Sequence, residues 1–525
     1  MKLNRTKNAV RNTVFGGLNF VYSTIAPFVM RTLMLYFLGV EYTGLNGLFA
    51  SILQVLNLTE LGVGSAMNYS MYKAIADDDE DRIRALMKLY RKYYRIIGCV
   101  IAVIGLVIFP FVPKLIKGGV PEDLNVFVLY LLNLATTVCS YFLFAYKNCL
   151  LSAFQRSDVA SKVTIGVNTV TYVLQAMVLV LFRNYYMFLI LSLLSQLMIN
   201  ICTAFFTNRM FPNYHPEGEL SRDNVEVINK RVRDVFTSKI ATVVMRSADP
   251  IVVSSFLGLS ILAMYQNYYY IVNALGSVLS VFLGAVMAGF GNSFLTETPE
   301  KNERDLRKFT MMIMWISIMI TACLLSVFEP FMDVWVGKDL QFDFGVVISF
   351  CAFYYTGAIC RLLNMYKDAA GIWSYDKYRP LTSALTNLTL NLLTVQTFGI
   401  YGVILSSVFA RVVVEIPWVL RNLFKYVFKK DALIPFAKRI LFYSFDAVVI
   451  CAVTWFATRY IDFTHSIYTF FVRGIVCALL ANILLLITLR KLPEYNDCKT
   501  FFIKMVNKTK LVKAIKRKQR QELVG

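Results

Sequence analysis

Charge is scarce in this 525-residue chain: Asp, Glu, Lys and Arg together make up 17%, where a soluble protein of that length carries about a quarter. Histidine is almost missing. His215 and His465 are the two present, too few for a His-based metal site or catalytic triad. The G-x-x-x-x-G-K-[ST] signature is absent, so the sequence offers no P-loop to drive work with nucleotide. The ten cysteines are scattered through apolar runs without pairing or metal-ligand spacing, and read as small apolar fillers. No cofactor motif is present. Alternating segments of about ten residues, the mark of a membrane barrel, are also lacking. No small-residue cleavage site follows the first apolar run after "MKLNRTKNAVRNTVFGG", so that run is expected to be a retained span.

What fills the chain is apolar. Residues of hydrophobic type make up 57%, and runs of about eighteen or more recur along the whole length, each enough to cross a hydrocarbon core of about 30 Å. Charge, Pro and Gly clusters divide them into fourteen candidate spans, near 14–38, 44–72, 95–113, 124–146, 159–182, 186–211, 234–257, 261–291, 309–334, 344–368, 380–397, 399–424, 439–460 and 466–489. The expectation is an all-α polytopic membrane protein.

The net charge of +21 is topological rather than a nucleic-acid footprint. With the N-terminus inside, Arg82, Arg84, Lys88, Arg91, Lys92 and Arg95 share one cytoplasmic loop, and Arg222, Lys230, Arg231 and Arg233 another. Lys429, Lys430, Lys438 and Arg439 fall in a third, and both termini are cytoplasmic. The outer loops are left short, the longest around "KLIKGGVPED", so this layout presents no folded domain or catalytic surface outside.

A repeat is visible. "VMR…FLGV" at 29–40 returns as "VMR…FLGL" at 244–259, and each is followed by a long span and an acidic-to-basic loop. The copies lie six spans apart. An even number keeps the halves in the same direction, as in parallel repeats that hold substrate between two lobes. The expected organisation is a six-helix lobe over 1–211, a cytoplasmic linker over 212–233 and a second six-helix lobe over 234–424. Two additional transmembrane helices over 425–489 and a basic cytoplasmic tail over 490–525 follow. In the tail, Phe501, Phe502, Ile503, Val506, Leu511 and Ile515 among many Lys and Arg read as an interfacial helix.

The stretches 44–98 (beginning "GLNGLFASILQVLNLTELGVGS"), "SADPIVVSSFLGLSILAMYQNYYYIV" (247–272), "GFGNS" (289–293) and "GIWSYDKYRPLTSALTNLTLN" (371–391) carry a family likeness. In them the chain resembles bacterial polysaccharide-biosynthesis proteins of the oligosaccharide flippase type, in the multidrug/oligosaccharidyl-lipid/polysaccharide exporter superfamily. The resemblance implies two six-helix lobes with two trailing helices, in the bacterial cytoplasmic membrane. It implies movement of an undecaprenyl-diphosphate-linked oligosaccharide, a capsule or exopolysaccharide repeat unit, to the outer leaflet. Glycosyltransferases and a polysaccharide polymerase would then be pathway partners. The alternatives are a cation-coupled multidrug exporter of the same superfamily and, from another class, a polysaccharide polymerase or ligase; the short outer loops argue against an enzyme.

Ionisable groups inside spans are costly, and each marks a candidate site. Arg31 lies about 10 Å below the outer end of the first span; it either binds the substrate's diphosphate bidentately or snorkels to headgroups. Arg246 in the seventh span either joins it on the diphosphate or pairs with Asp249. Asp249, before Pro250, is the ion-coupling candidate. Glu60 is a cavity acid or a partner for a neighbouring Arg, while Asn168, Gln175, Gln196, Asn200, Asn267 and Asn292 are either contacts to substrate hydroxyls or interhelical hydrogen bonds. Arg411 and Glu415, spaced i,i+4, are expected to neutralise each other. Arg361 is expected to snorkel to the cytoplasmic face and Arg473 to the outer one.

Overall fold

A computed structural model describes residues 5–57, 62–501 and 503. Among them the chain is helical, without strands. Seventeen α-helices are present, starting with α1 (Arg5–Phe37), α2 (Val40–Leu56), α3 (Val63–Ala76), α4 (Glu80–Ile108), α5 (Val126–Phe142) and α6 (Lys147–Ala153). Then come α7 (Ser157–Leu181), α8 (Tyr185–Met210), α9 (Arg222–Leu257), α10 (Leu259–Thr296), α11 (Pro299–Val336) and α12 (Phe344–Ala369). The last are α13 (Arg379–Phe398), α14 (Ile400–Phe409), α15 (Ile416–Tyr426), α16 (Leu433–Thr458) and α17 (Ser466–Leu489).

Among the described residues each expected span contains helix, and by length and composition ten helices there are apolar enough to cross a membrane, or eleven when the bent pair α5 and α6 counts as one. The shortfall against fourteen has physical causes. In the second span α2 ends at Leu56 and α3 opens at Val63 after Gly62 at φ 101°, with 58–61 outside the described residues. The Asn and Thr of α13 lower its hydropathy. The loop charges also start helices: Asp79 accepts from the Arg82 N–H at 2.9 Å, and Thr298 with Pro299 begins α11.

The repeated "FLG" has a structural counterpart. Gly39 (φ 114°, ψ 178°) ends α1 and Gly258 (φ 97°, ψ 173°) ends α9, and each lets the next helix begin at the following residue. Side chains other than hydrogen rarely reach that backbone region, so both copies of the motif break their helices by the same means.

The chain forms two compact units, residues 1–268 with 380–406, and residues 269–379 with 407–525. In the first, α7 packs on α1 and α8, α5 on α4 and α8, and α9 on α2 and α3. Here α9 and most of α13 join the helices of the expected first lobe, because polar groups on α9 find partners there. In the second, α11 gathers α12, α16 and α17 around Ile318, Ala322, Leu362, Tyr366, Cys477 and Ala481. The two trailing helices are therefore integral to that unit's core. The membrane-facing side of the first unit keeps Val170, Leu174, Leu194 and Met198 exposed, the pattern of surface meant for lipid. The amphipathic tail falls almost wholly outside the described residues.

Candidate functional site

Arg31 in the first unit reaches sideways to the start of α10 rather than upward. Its Nε donates to Asn267 Oδ1 at 2.6 Å, its Nη2 to the Ala263 carbonyl at 3.0 Å, and its Nη1 to Gln266 Oε1 at 3.3 Å. Two glycines bring α10 close enough for this. A Cβ on Gly44 would stand 2.2 Å from the Leu259 carbonyl oxygen, and one on Gly47 would collide with the Gln266 amide. Small residues thus seat α10 on α2 and set it within Arg31's reach. Asn267 is fully buried, and its Nδ2 has no hydrogen-bond partner among the described residues. Arg31 and Asn267, separate candidates in the sequence, are in direct contact.

Asp249 is buried on α9 and held by α13. Its Oδ1 accepts from Asn391 Nδ2 at 2.6 Å and Asn387 Nδ2 at 3.0 Å, while the Tyr265 hydroxyl stands 3.4 Å from Oδ2. Charge-assisted hydrogen bonds of this kind contribute about 1.5–3 kcal/mol each. The pairing with Arg246 left open by the sequence does not form. Asp249's oxygens are engaged by amides on α13, and Arg246 is exposed, without a hydrogen bond or ion pair among the described residues. Helix α9 also runs unbroken through Pro250. The amide oxygen of fully buried Asn391 has no partner among the described residues, which leaves an oxygen donor beside the carboxylate. The Asn387/Asn391 pair escaped the sequence reading, although two asparagines one helical turn apart in an apolar run were visible in "SALTNLTLN". Glu60 lies outside the described residues.

Gln196 and Asn200 border a polar cavity of about 320 Å³ inside the first unit, lined also by Asn68, Tyr90, Tyr94 and Asn148. Asn200 is in addition tied across helices to the Ser140 carbonyl at 2.9 Å.

In the second unit Arg411 and Glu415 part company. Residues Ala410–Glu415 form a π-helical turn, whose wider winding takes i,i+4 side chains out of register. Glu415 Oε1 instead meets Arg379 Nη1 at 2.8 Å and Asn364 Nδ2 at 3.0 Å. Arg379 also grips Asp376, Nε to Oδ1 at 2.8 Å and Nη2 to Oδ2 at 2.8 Å, and Lys367 Nζ lies 3.1 Å from the same carboxylate. This buried lattice sits in the quoted "SYDKYRP", where the i,i+3 acid and base gave a signal that went unused. Arg411 turns to Phe353, donating from Nη1 to its carbonyl at 2.6 Å and lying 3.8 Å over its ring. Arg361 does not run toward the C-terminal end of its helix, as snorkelling to the cytoplasmic face would require: it lies against Gly276 and, one turn back on its own helix, Gly357. Arg473 donates to the Ile461 carbonyl at 2.8 Å in the loop before α17.

Among the described residues no three His, Cys, Asp or Glu side chains gather as metal ligands would. What the arrangement offers is cationic and amide groups inside a helical bundle, suited to holding anions and polar cargo.

No protein-family model matches the chain, and no curated protein matches it in sequence. Solved structures do match in fold. The lipid II flippase MurJ, in an inward closed conformation, superposes with a TM-score of 0.68 at 15% identity, over 91% of this chain and 99% of its own. An inward-facing multidrug resistance MATE family transporter of the MOP superfamily gives 0.59 at 14% identity, over 80% of this chain and 98% of its own. The eukaryotic MATE transporter AtDTX14 gives 0.53 at 14% identity, over 82% and 98%. The chain therefore shares the fold of this flippase and these MATE transporters.

Proposed function

We propose that this multi-pass membrane protein is a flippase that carries an undecaprenyl-diphosphate-linked oligosaccharide, a capsule or exopolysaccharide repeat unit, across the bacterial cytoplasmic membrane by alternating access. The observation that carries the reading is Arg246. Its guanidinium is exposed on a helix of a transporter fold and has no carboxylate partner among the described residues. A guanidinium stays protonated at any physiological pH, so a membrane-embedded one calls for an anion. The diphosphate of a lipid-linked sugar supplies about two negative charges and oxygens matched to the guanidinium fork. Arg31, already oriented by three acceptors on α10, is the second ligand in this reading, with Asn267 beside it for substrate hydroxyls. The polar cavity bordered by Gln196 and Asn200 supports a hydrophilic cargo.

Asp249 serves as the coupling group. A buried carboxylate next to an unused amide oxygen can take up a proton or a sodium ion, and occupancy would bias how α9 and α13 pack. Glycosyltransferases build the substrate on the inner face and a polymerase consumes it outside, so both are pathway partners in this reading.

The shared fold with MATE transporters favours one competitor, a cation-coupled multidrug exporter. One experiment separates the two. In cells that make a lipid-linked repeat unit, depletion of this protein should trap the unit on the inner leaflet and leave susceptibility to cationic drugs unchanged. Drug sensitisation with normal surface glycan would transfer the assignment to the exporter.

A further inference from the structure

Two guanidiniums in the second unit lie side by side without an acid between them. Arg361 is on α12, and Arg411 is in the π-helical turn after α14. A Cβ built on Gly357 would be 3.0 Å from Arg361 Nη1 and 3.1 Å from Arg411 Nη1. The two positive groups therefore lie within about 6 Å of each other, a repulsion that grows as water is removed. Neither makes an ion pair among the described residues. The nearest candidate, Glu415, is committed to Arg379 and Asn364. Arg379 and Lys367 pair with Asp376, Asp368 and Glu415, so those acids are engaged elsewhere.

The surroundings hold this pair in place rather than relieve it. Gly276 leaves the space that Arg361 occupies: a Cβ there would fall 2.3 Å from its Nη2 and 2.6 Å from its Cζ. The Phe353 ring and carbonyl fix the plane of Arg411. Tyr354, next to Phe353 and close enough to Arg361 to feel its charge, has a buried hydroxyl with no hydrogen-bond partner among the described residues. Both arginines remain partly exposed, so a ligand can reach them. Two fixed guanidinium forks, a spare hydroxyl donor and no competing carboxylate are what a doubly charged phosphate ester needs. Burying two like charges without such a ligand would only cost stability.

We propose that Arg361 and Arg411 form a diphosphate-binding pair in the second unit, a station for the polyprenyl-diphosphate group of the lipid-linked substrate in addition to Arg31 and Arg246. The proposal rests on the flippase reading for its substrate class. Gly276 and Gly357 are its positioning residues, since each gives the guanidiniums their room.

The test is equilibrium binding of a short-chain polyprenyl diphosphate to the purified full-length protein in detergent, with inorganic pyrophosphate and phosphatidylglycerol as separate competitors. The wild type should bind the polyprenyl diphosphate, pyrophosphate should compete, and phosphatidylglycerol should not. Arg361→Gln and Arg411→Gln should each weaken binding about tenfold or more, the size expected for one lost charge-assisted contact. Gly357→Ala keeps both charges and suits a helix interior, yet must push the two groups aside, so it should weaken binding by a smaller factor. Arg473→Gln, in the first turns of α17, should bind as wild type. Unchanged binding in the double Arg361→Gln/Arg411→Gln variant overturns the proposal, as does competition by phosphatidylglycerol alone or failure of the wild type to bind. Because binding is read apart from transport, the two claims separate. A wild type that flips substrate while the double variant binds normally removes the station and spares the function. Binding that depends on both arginines, without flipping, does the reverse.

Discussion

Glu415 forms its ion pair with Arg379, Oε1 to Nη1 at 2.8 Å, although Arg411 stands four residues before it on the same span. Arg379 is thereby shared between the buried carboxylate of Asp376 and the half-buried one of Glu415. Removing it leaves both without their main counter-charge, a loss of about 3–5 kcal/mol for a broken buried pair. Arg379→Ala should therefore lower the melting temperature in detergent sharply. Glu415→Gln, which keeps the hydrogen-bonding shape, should lower it much less. Equal shifts for the two would mean the lattice is not held by charge.

Gly39 and Gly258 occupy the same unusual backbone region, φ 114° and 97° with ψ near the extended limit. An alanine there should cost about 1–3 kcal/mol of strain. Gly39→Ala and Gly258→Ala are expected to destabilise by similar amounts. Gly17→Ala, in mid-helix with nothing within 4 Å of the added carbon, should be neutral or stabilising, since alanine gains about 1 kcal/mol over glycine in a helix. Thermal unfolding of the three variants checks this, and a neutral Gly258→Ala would break the parallel between the two motif copies.

Much of this architecture was legible in the chain because length and apolarity are local properties. Among the described residues the apolar runs contain helix, ten or eleven of them long and apolar enough to span, and the repeated "FLG" marked both positive-φ breaks. Partner choice was not legible in the same way. Arg411 and Glu415 looked like an i,i+4 pair because a regular α-helix was assumed, and one π turn undid it. Asp249 looked like Arg246's partner because the two are near in sequence. Its hydrogen-bond donors instead come from Asn387 and Asn391, more than a hundred residues on, and nothing in local spacing encodes such a contact. Arg31 with Asn267 is the converse case: both were singled out separately, and the fold joins them.

If Asp249 is the coupling group, Asp249→Asn keeps the hydrogen-bonding geometry with Asn387 and Asn391 but removes the charge that a proton or sodium ion would meet. Transport by this variant should lose its response to an imposed cation gradient, while any downhill exchange of substrate persists. The measurement is substrate movement in proteoliposomes with and without proton or sodium gradients. A variant that still accelerates with the gradient would place the coupling elsewhere.

In the second unit, Arg304 Nε lies 2.7 Å from Asp497 Oδ2 and holds that carboxyl below its usual range, chiefly through the hydrogen bond. A depressed carboxylate contributes stability above its unfolded value, and that contribution is lost as pH falls through the folded value. Asp497→Asn should raise amide exchange over residues 493–501 at neutral pH, and the difference from wild type should vanish in acid. A difference that persists unchanged in acid would show that charge plays no part in docking this segment.

The most direct measurement reconstitutes the purified protein in liposomes containing an undecaprenyl-diphosphate-linked oligosaccharide and follows how fast the sugar on the inner leaflet becomes accessible to an external glycan-cleaving enzyme. Wild type should expose the inner pool well above the protein-free rate. Arg31→Ala and Arg246→Ala should each slow it, and the lysine variants should recover part of the loss, since lysine keeps the charge without the fork. A wild-type rate no faster than that of empty liposomes, or arginine-to-alanine variants as fast as wild type, would contradict the account.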